Sequence, residues 1–138
     1  MAIRVLLDTS ILLTSLKQPF DIMSETEELL QTKVEFIILR QVQNELQKLA
    51  TNQTTIGNHA SRALEITRKC RLIDLGPTSG TSADEALIKA SKELRAIVAT
   101  ADSRLRMRLR TLKLPVLSLR GNRLYCEPET PQYWPSML

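Results

Sequence analysis

With 138 residues, 43% of them hydrophobic and 25% charged, the chain has the make-up of one globular domain that buries a core without disulfides or a structural metal. Its longest apolar runs, such as "FIIL", are far too short to span a membrane, and "MAIRVLLDTS" lacks the layout of a secretory signal. A cytoplasmic protein without membrane attachment is therefore expected, and its two distant cysteines, Cys70 and Cys126, read as buried thiols.

"IRVLLD", from Ile3 to Asp8, is a nearly continuous apolar run of the kind that forms a strand buried on both faces. A helix follows, with Thr9 or Ser10 as its cap, and Asp21 caps the next helix, "IMSETEELLQ". "VEFIIL" is a second strand, after which Val42, Leu46, Leu49 and Ala50 recur at helical spacing. "TNQTTIGN" reads as a loop before a helix marked by Ala60, Ala63, Leu64, Thr67 and Cys70. "RLIDLG" is a third short strand, and Gly76, Pro77 and Gly80 punctuate the segment after it. Thr81 or Ser82 caps the helix of Ala83, Ala86, Leu87, Ala90 and Leu94. "AIVAT" is the fourth strand and "PVLSL" the fifth, with a brief "RLYCE" strand across a Gly121–Asn122 turn.

"RLRMRLR" fits two periods. It alternates like a strand, yet Leu105, Leu109 and Leu112 also fit a helix that Asp102 or Ser103 can cap. Alternating strands and helices imply a parallel sheet, and parallel neighbours need a crossover, which decides for a helix. The fold expected is α/β, a central parallel sheet of four to five strands flanked by helices. One domain spans residues 1–127, and 128–138 form a Pro-rich irregular tail.

In open parallel sheets, sites form beyond the carboxyl ends of the strands, where the strand order reverses. Asp8 ends the first strand and Asp102 follows the fourth, while Glu45 and Asp84 lie early on the helices after the second strand and the "GPTSGTS" loop. Each acid alone is an ordinary cap, dipole partner or solvated residue. Together they can share one cleft, where mutual repulsion favours protonation or a bound cation. Oxygen ligands without His or Cys suit Mg²⁺ or Mn²⁺. Ser10 and Thr100 are candidate supporting hydroxyls.

From Ser103 to Leu124 there is no acid, while Arg104, Arg106, Arg108, Arg110, Lys113, Arg120 and Arg123 supply positive charge. Such a run is either a solvated face or a patch for a phosphate backbone. Beside an acidic cation-binding cleft, the second reading makes a nucleic acid the expected partner.

"VLLDTS", "NELQKL", "SADEALIKAS" and "IVATADSRLRMRLR", in that order over nearly the whole chain, resemble the PIN-domain nucleases. The closing "LPVLSLRGNRLYCE" further resembles the archaeal type related to the endonuclease that processes small-subunit ribosomal RNA. The resemblance implies a PIN-like, Rossmann-like parallel sheet and Mg²⁺- or Mn²⁺-dependent endoribonuclease activity on RNA, with metal-site acids Asp8, Glu45, Asp84 and Asp102, and it suggests a homodimer. Ser10 and Ala101 stand where many relatives carry asparagine; both changes leave the four acids in place. Two alternatives remain: a toxin ribonuclease with an antitoxin partner, and a catalytically weak RNA-binding ribosome-assembly factor.

Overall fold

A computed structural model describes residues 2–17, 20–76 and 82–128. Six strands form one sheet: β1 (Ile3–Leu7), β2 (Val34–Leu39), β3 (Arg71–Ile73), β4 (Ala96–Thr100), β5 (Val116–Arg120) and β6 (Arg123–Glu127). Their spatial order is β3-β2-β1-β4-β5-β6. The first five run parallel, and β6 returns antiparallel at the edge, so the parallel core has five strands and the sheet six. The expected tail lies outside the described residues, apart from Pro128.

The helices are α1 (Thr9–Lys17), α2 (Ile22–Leu30), α3 (Arg40–Ala50), α4 (Thr55–Thr67), α5 (Ala83–Leu94) and α6 (Ser103–Thr111). Successive strand residues face opposite ways. Val5, Leu6 and Leu7 of β1 and all five residues of β4 are nonetheless fully buried, so helices cover both faces of the central strands. This is why those strands read as unbroken apolar runs.

Two local expectations change. Neither Thr9 nor Ser10 caps α1; the Asp8 carboxylate does, accepting the Ile11 N–H at 2.8 Å. "TTIGN" is not loop but the first turn of α4, capped by the Thr54 hydroxyl. Gly57 is needed there because the turn out of α3 passes close by. A Cβ at that position would stand 1.8 Å from the Asn52 carbonyl oxygen. Gly121, with φ of +65°, opens the two-residue hairpin loop between β5 and β6, where a side chain would be strained.

From β1 the chain builds outward through β2 to β3, then crosses back to start β4 on the other side of β1. The strand order therefore reverses between β1 and β4. Their carboxyl ends open a crevice there.

Candidate active site

Asp8 leaves β1 at this crevice and Thr100 ends β4 beside it. The register pairs Leu7 with Ala99, and the Asp8 N–H still bonds the Ala99 carbonyl at 3.2 Å. The Thr100 hydroxyl donates to Asp8 Oδ2. The Ser10 hydroxyl reaches both carboxylate oxygens, at 2.8 and 2.9 Å. Each hydroxyl also accepts from the chain leaving β4: Ser10 Oγ from the Ala101 N–H, and Thr100 Oγ1 from the Asp102 N–H, both at 3.0 Å. Ser10 and Thr100 thus tie the two strand ends together through one carboxylate.

Asp8 is only 5% exposed. Burial raises its pKa from 3.8 to about 6, against the hydrogen bonds from Thr100, Ile11 and Ser10, and nearby Asp84 raises it further. Thr9, next in sequence, is buried, and its hydroxyl has no hydrogen-bond partner among the described residues.

Asp84 lies in the first turn of α5, which the Ser82 hydroxyl caps by accepting the Glu85 N–H. Its pKa is raised by burial and by Asp102, and Arg108 opposes the shift. Asp102 caps α6, one oxygen accepting the Arg104 N–H at 2.8 Å. Asp84 therefore feels both other aspartates, and the three form one electrostatic cluster.

Glu45 differs. Val42 and Leu46 are buried, but Glu45 is exposed at the rim of the stripe instead of turned inward. Its helix does pack against α5. Among the described residues, no three acidic, histidine or cysteine side chains close around a single point. The aspartates couple at the strand-order reversal without enclosing a point, which would suit a hard cation that keeps several waters and shares the rest of its shell with substrate phosphates. The oxygen-only donor set fits such an ion.

The arginines of α6 divide into two rows on either side of buried Leu105 and Leu109. Arg104 and Arg108 form one row, and Arg108 is the cation that acts on Asp84. Arg106 and Arg110 form the other, and both bind Glu127 of β6, at 2.7 and 2.6 Å. Arg106 is thereby half-buried, not a solvent-facing flank. Arg120 approaches the same carboxylate at 3.8 Å and stacks over Tyr125, 4.1 Å from the ring centroid, with Arg123 at 6.0 Å. Lys113 is exposed. Glu127 escaped the sequence reading; the available signal was its place as the first acid after the long basic run, in line with Arg123 and Tyr125 on an alternating strand.

Comparison with known proteins agrees with this fold. A family model described as a PIN like domain matches residues 5–122. The chain is similar to ribonuclease VapC4 of Methanocaldococcus jannaschii, with 29% identity over 126 residues, 88% of this chain and 94% of that protein. Among solved structures it is similar to the PIN domain endonuclease Utp24, with a TM-score of 0.73, 28% identity and 90% of each chain covered. VapBC-1 from nontypeable Haemophilus influenzae shares the fold at 14% identity and a TM-score of 0.59, over 88% of this chain and 100% of that one.

Proposed function

Because this chain belongs to the PIN-like domain family, we propose that it is an endoribonuclease acting on structured or ribosomal RNA, with Asp8, Asp84 and Asp102 holding Mg²⁺ or Mn²⁺. The observation that carries the reading is the coupling of these three aspartates at the strand-order reversal. The likeness to a ribonuclease and to an endonuclease structure, each over most of the chain, supports the reaction class.

In hydrolysis a water oxygen bonds to phosphorus, a P–O ester bond breaks, and the leaving oxygen takes up a proton. A bound divalent ion supplies charge for the phosphoryl oxygens and acidifies a water. The chain supplies the geometry. Thr100 and Ser10 orient the Asp8 carboxylate, which is mostly ionised above about pH 6. Asp102 uses one oxygen to cap its helix, which leaves the other for the ion. Glu45 completes the acidic rim when RNA enters, and Arg104 and Arg108 meet phosphates flanking the scissile bond. A cytoplasmic location goes with this substrate.

The test is cutting of a labelled structured RNA at low salt, with Mn²⁺, Mg²⁺ or EDTA, by the wild type, Asp8→Asn and Asp102→Asn. Metal-dependent cutting by the wild type alone is expected; the same behaviour from all three proteins removes the site. The VapC4 likeness favours a second reading, a toxin held by an antitoxin. Growth arrest on expression, relieved by Asp8→Asn, would select it.

A further inference from the structure

At the β5–β6 edge, away from the acidic cleft, lies a pocket of about 290 Å³ lined by Arg106, Arg110, Arg120, Tyr125 and Glu127 among others. Three guanidinium groups face one carboxylate there, leaving two positive charges uncompensated within the group. One arginine would suffice to pin β6 to α6, and Arg106, with a 19% exposed side chain against Glu127, already does so. The side chains of Arg110 and Arg120 are each 52% exposed, so both keep N–H donors open to a ligand. Both are also held in place, Arg110 by Glu127 and Arg120 by the Tyr125 ring. Planar donors ordered beforehand lose little freedom on binding, and they match two oxygens of one phosphate.

We propose that this pocket is a second phosphate-binding subsite that takes a backbone phosphodiester of the RNA strand a few nucleotides from the bond being cut. The proposal rests on the endoribonuclease reading. Helix α6 stands between the two places, with Arg104 and Arg108 on the cleft side and Arg106 and Arg110 on the pocket side. A helix is about 10–12 Å across with its side chains, so one extended strand can engage both. Glu127 holds Arg106 and Arg110 on the pocket side of α6.

The experiment measures binding of a labelled single-stranded RNA in EDTA across a salt series, with wild type, R110Q/R120Q, R110K/R120K and R62Q/R68Q. Losing one phosphate contact should lower the slope of log K against log salt by about 1 in R110Q/R120Q. R110K/R120K, which keeps the charges, should retain the slope. R62Q/R68Q removes two charges from α4 and the turn after it, and should also retain it. Equal losses in R110Q/R120Q and R62Q/R68Q, or no loss in either, overturn the subsite. The same proteins are also titrated with labelled polyglutamate, and an unchanged RNA slope with lost polyglutamate binding overturns the subsite in favour of an acidic protein segment. Cleavage separates the two readings: metal-dependent cutting with unchanged KM in R110Q/R120Q discards the subsite and keeps the nuclease. A lowered slope in a chain that never cuts keeps the subsite's phosphate chemistry and discards the nuclease.

Discussion

Asp8 is the residue where charge and fold oppose each other most. An aspartate of the unfolded chain titrates near 3.8 and this one near 6. Between those values the folded state binds more protons than the unfolded state. Stability is therefore fully present below about pH 4 and is lost as pH rises through about 6, by on the order of 3 kcal/mol in total. Asp8→Asn should remove this dependence. In EDTA, its melting midpoint should gain on the wild type between about pH 4 and pH 7, and parallel curves would refute the assignment. Thr100→Val tests the support. Without that hydroxyl the Asp8 pKa rises further, so the acid limb of the cleavage pH profile should move to higher pH. An unmoved limb would reduce Thr100 to a strand-end residue.

Helix α6 makes the same point for elements. Its sequence offers four arginines at alternate positions, which suggests one uniform basic face. Folding sorts them, because a 3.6-residue repeat with Leu105 and Leu109 buried leaves two flanks facing different neighbours. One flank acts on Asp84 through its charge and the other pairs with Glu127, which no local pattern reveals. The start of α4 was obscured differently. A glycine in a polar stretch resembles a loop, but here it admits the Asn52 carbonyl oxygen. Gly57→Ala should accordingly destabilise by about 1–3 kcal/mol, read as a lower denaturant midpoint, since something must shift to admit the methyl group. A midpoint equal to that of the wild type would show that the helix start yields freely.

For the whole molecule, the strand order matters most. Asp8, Asp84 and Asp102 are far apart in sequence and meet because β4 returns to the side of β1 opposite β2. Their repulsion is built into the folded state, and the proposed cation would relax it. Mn²⁺ or Mg²⁺ should therefore raise the melting midpoint, by about 2.7 kcal/mol in stability when the ion is at 100 times its Kd. Asp84→Asn, at the centre of the cluster, should lose most of that gain. An equal gain in the variant would place the ion elsewhere.

Much was legible in the sequence because it rests on local pattern. Strands buried on both faces are mostly apolar, helices covering them are striped, and small polar residues cap several of them, as Asp21, Ser82 and Asp102 do. The family motifs added an order of acids along the chain. Partnership was decided only by tertiary structure. Ser10 and Thr100, 90 residues apart, share one carboxylate; Glu45 stays at the rim while three aspartates couple; and Glu127 gathers three arginines from two elements. Hydrogen bonds and charge pairs act over a few ångströms, and only the crossing of the chain determines which distant residues come that close.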